Sequence, residues 1–141
     1  VRMGKVPEEV LVWNDPPSRL TRNDPRYDPD AFYRVKSGYL AGWLRARGGD
    51  RVSVVGGGRV TRRRALLIEE HGVAIERWLE VDPDKIGQTA SGRPVCSWHD
   101  LGAPGGEFLL SYVGNRGAGA RIARELSQRG WRPGTHFLLA A

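Results

Sequence analysis

The chain has 141 residues, of which 40 % are hydrophobic and 27 % charged, with a formal net charge of +6. That is enough for one compact domain with a core and a short appendage. No apolar run approaches the roughly 18 residues of a membrane helix, and the start, VRMGKVPEEV, lacks the apolar stretch of a signal peptide. Cys96 is the single cysteine, which excludes an internal disulfide. The basic residues are mostly arginines spread along the chain, with one dense run at Arg62, Arg63 and Arg64, so the expectation is a cytoplasmic protein with no nucleic-acid partner.

Residues 1–27 begin at Val1 rather than Met, which reads as a piece of a longer chain. EVLVW (9–13) has the pattern of one strand. The proline-rich NDPPSRLTRNDPRYDP that follows predicts an extended, turn-rich linker, because proline blocks both helix and central strand. A connecting helix is expected over 28–49. Asp28 suits the N-cap, Pro29 the first helical position, Asp30 the positive helix start, and Gly48 and Gly49 the stop. Its apolar stripe of Phe32, Val35, Tyr39, Leu40, Trp43 and Leu44 predicts packing on the domain that follows.

Over residues 50–141 the pattern alternates. RVSVV (51–55) reads as a strand and GRVTRRRALLIEEH as a helix ended by Gly72. VAIERWLEVD reads as a strand with Val73, Ile75, Leu79 and Val81 suited to burial. A long loop follows, with room for a short strand at RPVCS and one turn at WHDL. FLLSYV reads as a strand covered on both faces. GAGARIARELSQRG reads as a helix with Ala118, Ile122 and Leu126 on one side, and THFLLA as a last strand. Strands alternating with helices imply right-handed crossovers and a parallel sheet. The fold class expected is α/β: a small Rossmann-like parallel sheet flanked by helices, preceded by an extended segment and one N-terminal helix.

In such a sheet ligands sit beyond the carboxyl ends of the strands. Two glycine turns fall there, VVGGGRVT and YVGNRGAG, each leading into a helix start whose free amides and dipole attract an anion. The first gives Gly56 and Gly58 at dinucleotide spacing, with Thr61 where a third glycine is usual and Arg59 available to a phosphate. The acidic residue expected at the end of the next strand is Asp82 or Glu80. The second turn offers Gly114, Asn115 and Arg116. These residues are the candidate site for a nucleotide or nucleotide-sugar. The alternative is that the glycines only let the chain turn. A hydride-transfer cofactor needs a second half that about 90 residues do not supply.

Other chemistry is sparse. His71 suits the cation-favouring end of a helix, His99 lies beside Cys96 and Asp100 as a conceivable nucleophilic pair or an ordinary helix-start loop, and His136 opens a strand. Asp82, Pro83 and Asp84 make either a cation chelate or, more simply, an Asx turn. There is no serine nucleophile elbow, P-loop lysine or metal cage. The five tryptophans are read as packing anchors.

VPEEVLVWNDPPSRLTRNDPRYDPDAFYRVKSGYLAGWL, VVGGGRVTRRRALLIEEHG, EVDPDKIGQTASGRPV, YVGNRGAGARI and GTHFLLAA together resemble the C-terminal part of bacterial family 2 glycosyltransferases, over nearly all of the chain. The resemblance implies that residues 1–27 trail an upstream GT-A catalytic domain carrying the metal-binding aspartates, and that this chain alone transfers no sugar. Its partner would be that catalytic domain. Two positions depart from the family pattern: Pro16 stands where a histidine near the metal is usual, and Thr61 where a glycine is usual. The Rossmann-like part is also similar to the N-terminal domain of bacillosamine-pathway sugar acyltransferases, where a like turn holds a nucleotide-linked sugar. A stand-alone dinucleotide-binding oxidoreductase-like domain and an interaction module without ligand are the alternative functions.

Overall fold

A computed structural model describes residues 16–19, 24 and 27–141. The expected strand at 9–13 and half of the proline-rich linker lie outside the described residues. Helix α1 (Pro29–Arg45) starts as its sequence dictates: Asp28 Oδ1 accepts from the Asp30 amide at 2.9 Å, proline sits in the first turn, and Gly49 closes the far end on the Leu44 carbonyl.

The rest is an α/β domain built on a six-stranded, mostly parallel sheet. In chain order its elements are β1 (Arg51–Val55), α2 (Arg59–Leu66), β2 (Ala74–Glu80), β3 (Thr89–Ala90), β4 (Arg93–Ser97), β5 (Leu109–Ser111), α3 (Ala118–Gln128) and β6 (Phe137–Leu139). The spatial order is β3-β4-β2-β1-β5-β6, and only the β3–β4 pair is antiparallel. The chain therefore winds outward from β1 in one direction, returns to the other side of β1, and winds outward again. Together with its flanking helices, that order is the small Rossmann-like fold expected from the alternating pattern. β3 is an addition: its two residues fold back on β4 through the turn at Ser91 and Gly92.

Each face of the sheet has its own core, because successive side chains along a strand point to opposite faces. Val54, Trp78 and Leu110 join Tyr33, Ala41, Leu44, Ala65 and Ile68 beneath α1 and α2. Val55, Leu79 and Leu109 join Ile122, Leu126 and Trp131 beneath α3. A bulge between Val52 and Ser53 skips Glu76 in the register of β1 with β2. It shifts the phase of β2, so that Ile75 and Trp78, three residues apart, share one core. Three tryptophans are the anchors expected. Trp78, Trp98 and Trp131 are buried, and their indoles donate to Ala90 O, Glu125 Oε2 and Gly102 O.

Two burial expectations are corrected. Val81, at the end of β2, is 62 % exposed because the strand ends at Glu80. The apolar stripe of α1 proves to be two faces. Tyr33, Ser37, Ala41 and Leu44 are buried against the domain, whereas Phe32, Val35 and Tyr39 are 62 %, 64 % and 80 % exposed. Small Ser37 and Ala41 let the helix approach the sheet closely, and Ser37 returns its hydroxyl to the Arg34 carbonyl at 2.7 Å. Of the expected stripe, Leu40, Trp43 and Leu44 do pack on the domain core.

A candidate crevice at the carboxyl edge of the sheet

β1 and β5 are neighbours whose following helices go to opposite faces of the sheet. Their carboxyl ends therefore part, and a crevice of about 610 Å³ opens between them. That volume is in the range of small-molecule sites, and its place is the topological switch point. Val55, Leu79, Trp98 and Ile122 give it an apolar floor, and both glycine turns border it.

The first turn is shaped by close approach. Gly56 has φ +96, and a Cβ there would stand 2.7 Å from Val113 Cγ2. The same Cβ would meet Thr61 Cγ2 at 3.3 Å, so Thr61 fits where a glycine is usual because Gly56 leaves room for its methyl. A Cβ on Gly57 would stand 3.0 Å from Glu80 Oε2, and the Gly57 amide donates to that oxygen at 2.9 Å. Gly58 differs: no atom lies within 4 Å of its would-be Cβ, and it serves as N-cap of α2.

The two helix starts that meet here are alike. Neither α2 nor α3 has a side-chain cap or an acidic residue in its first turn. Their leading amides have no side-chain cap, and the one carboxylate beside them, Glu80, is held on the Gly57 amide just before α2. α1, by contrast, has both the cap and the acid.

Of the candidate residues, Gly56, Gly58, Thr61, Gly114 and Asn115 line the crevice together. Arg59 and Arg116 are exposed and outside its lining, and Asp82, which is partly buried, also lies outside it. Asp82 instead makes the Asx turn, accepting from the Asp84 amide at 3.1 Å and pairing with Lys85 at 2.7 Å. Lys85 and the Asp84 amide hold its carboxyl below the usual carboxylate range. Glu80 is the acid that faces the crevice. Its other oxygen accepts from the Val81 amide at 2.9 Å, so the carboxylate ties the end of β2 to the glycine turn.

The crevice also holds residues that sequence reasoning missed. Arg64, from the second turn of α2, and Arg121, from the start of α3, both line it. Among the described residues no ion pair joins either to a carboxylate. The crevice carboxylates are already engaged, Glu80 by amides and Glu125 by the Trp98 indole at 3.0 Å. The signal was helical period: Arg64 is three residues after Thr61 and so shares its face. Burial raises the phenol of Tyr112, another lining residue, to about 12, so it stays neutral and can donate at any physiological pH.

The remaining chemical candidates do not assemble. No hydrogen bond joins Cys96 to His99, which is exposed, and His136 Nδ1 accepts from the Arg132 amide at 3.0 Å. His71 lies against Gly38 of α1. Among the described residues no group of His, Cys, Asp and Glu could hold a metal ion, and no helix is long and apolar enough to cross a membrane. Compared with known proteins, the chain matches no family model, no curated protein and no solved structure, which leaves the crevice to be read from its own residues.

Proposed function

We propose that this chain is a non-catalytic C-terminal domain of a bacterial family 2 glycosyltransferase and that its switch-point crevice takes a nucleotide-type ligand. The observation that carries the ligand reading is the convergence of two uncapped helix starts, with no acid in either first turn, and two arginines that have no carboxylate partner among the described residues. Such a site favours an anion, and backbone amides with arginine suit phosphate. The apolar floor suits a base, and Glu80 is placed to accept from a ribose hydroxyl. A bare sugar would leave the donors without an anion.

The glycosyltransferase reading rests on the sequence resemblance. In it, α1 is the connection to the catalytic domain, the module works beside that domain in the cytoplasm, and the ligand either reports or helps retain the donor nucleotide.

Titration with UDP, a UDP-sugar and NAD, followed by amide chemical shifts, tests the ligand reading. Shifts confined to residues 56–61, 80–81 and 112–121 are expected. Saturating ligand with no shift at either turn would leave the glycines a backbone role only. Incubated with UDP- and GDP-sugars, the chain should neither transfer nor hydrolyse them. Turnover abolished by one substitution within it would overturn the non-catalytic assignment.

A further inference from the structure

Among the described residues two buried side-chain polar atoms lack a hydrogen-bond partner, Arg64 Nε and Ser111 Oγ. Native structures satisfy nearly all such atoms. Both belong to this end of the molecule: Arg64 lines the crevice, and Ser111 is the last residue of β5, next to the lining residue Tyr112.

Arg64 is also held in place. Its guanidinium carbon lies 4.3 Å from the centre of the Tyr33 ring, and Nη1 donates to Tyr33 Oη at 3.4 Å. The same Nη1 is 4.0 Å from where a Cβ on Gly114 would stand. The arginine thus crosses from α2 toward the second glycine turn, resting on a ring from α1. Tyr33 is 8 % exposed, and its ring is 6.1 Å from that of Tyr112. The pair Arg63 and Asp30, at 3.1 Å, ties the start of α1 to α2 next to this stack.

We propose that Arg64 is the phosphate anchor of the crevice and that Tyr33 of α1 is its positioning residue; the proposal rests on the reading of the crevice as a nucleotide site. A guanidinium stacked on an aromatic ring is held in one orientation, and here the long 3.4 Å bond from Nη1 to Tyr33 Oη can be exchanged for bonds to phosphate oxygens. Arg59 and Arg116, though nearer the turns in sequence, are exposed and outside the crevice. Arg121 supplies a second cation from the opposite wall, so a diphosphate should bind more tightly than a monophosphate. The helix that would lead in from an upstream domain therefore sets the aim of the residue that reads the ligand's charge.

Calorimetric titration of the intact chain with UDP, UMP, uridine and inorganic pyrophosphate tests this. Arg64→Gln should weaken UDP at least tenfold, leave uridine within twofold, and flatten the dependence of log Kd on log salt. Arg64→Lys keeps the charge without the fork and should fall between. Tyr33→Phe keeps the stack and should cost under threefold, whereas Tyr33→Leu should weaken UDP about as much as Arg64→Gln while an unchanged salt slope shows that the charge is still there. Arg59→Gln and Arg116→Gln should change UDP binding less than twofold. UDP bound equally well by wild type and both Arg64 variants, all with native circular dichroism, would overturn the anchor while the nucleotide crevice stands. Arg64-dependent binding of pyrophosphate with no preference for UDP would keep the anchor and overturn the nucleotide. Wild type that binds none of the anions overturns both.

Discussion

Toward the amino ends of the strands, arginines are matched to carboxylates: Arg51 to Glu76 at 3.3 Å, Arg77 to Glu107 at 2.7 Å and Arg93 to Glu69 at 2.5 Å. The Arg77 pair is bidentate, and Ser53 adds its hydroxyl to Glu107 from the middle of β1. At the carboxyl ends, Arg64 and Arg121 line the crevice with no such partner among the described residues, and neither helix there has an acid in its own first turn. One end of the sheet satisfies its charges internally. The other sets two arginines without a carboxylate pair among the described residues over an apolar floor. The difference separates arginines paired to carboxylates from arginines that, among the described residues, have no such pair, and the second group is where an outside anion belongs.

Four substitutions sharpen or break this contrast. The largest effect is expected at the rigid part of the carboxyl edge. Gly56→Ala combines positive φ with a 2.7 Å approach to Val113 and should cost about 3 kcal/mol in chemical denaturation. Gly58→Ala, which meets open space, should cost less than about 1 kcal/mol. Equal losses would mean that the first turn is not shaped by this contact.

Next comes the amino edge. Burial pushes the Glu107 carboxyl up, but the hydrogen bonds from Arg77 and Ser53 outweigh that and hold it below the usual range. A depressed carboxylate adds stability in full above its unfolded value of about 4.3, and that part is lost as pH falls through the lower folded value. Glu107→Gln should cost about 2 kcal/mol at neutral pH, since it leaves Arg77 half-buried without its partner. Its stability should fall less steeply than that of wild type between about pH 4 and pH 2. Parallel acid profiles would place the acid sensitivity elsewhere.

The smallest effect is expected in the crevice. Arg121→Gln removes no ion pair and should change stability by less than about 0.5 kcal/mol, while weakening UDP. A loss of stability comparable to that of Glu107→Gln would show that the crevice arginine is structural after all, and the contrast would collapse.

Much of this architecture was legible because it rests on local rules. The Asp28, Pro29 and Asp30 start of α1, the continuous apolar run of β5, and the spacing of Ala118, Ile122 and Leu126 on α3 each carry their structure in adjacent residues. The glycine turns announced where the crevice lies. What could not be read depends on register between distant segments. The bulge opposite Ser53 arises from how β2 pairs with β1, and nothing within VAIERWLEVD marks Glu76 as the skipped residue. The packing of α1 was read only in part: Leu40, Trp43 and Leu44 do meet the core, but Ser37 and Ala41 went unnoticed because they contribute closeness rather than hydrophobicity. For the same reason the arginines nearest the glycines in sequence, Arg59 and Arg116, drew notice over Arg64 and Arg121, which reach the crevice from within their helices.

The bond from the Gly57 amide to Glu80 joins the first turn to the end of β2, and Val81 clamps the same carboxylate from below. The consequence is entropic. A glycine-rich loop is among the most mobile kinds of backbone, and fixing it when a ligand arrives would subtract roughly 1–2 kcal/mol per residue from the affinity. Here the ordering is completed when the sheet forms, so the loop's share of that loss falls on folding rather than on recognition. A ligand entering the crevice meets amides already fixed in direction, and its association should run in one fast step without a slower closing phase.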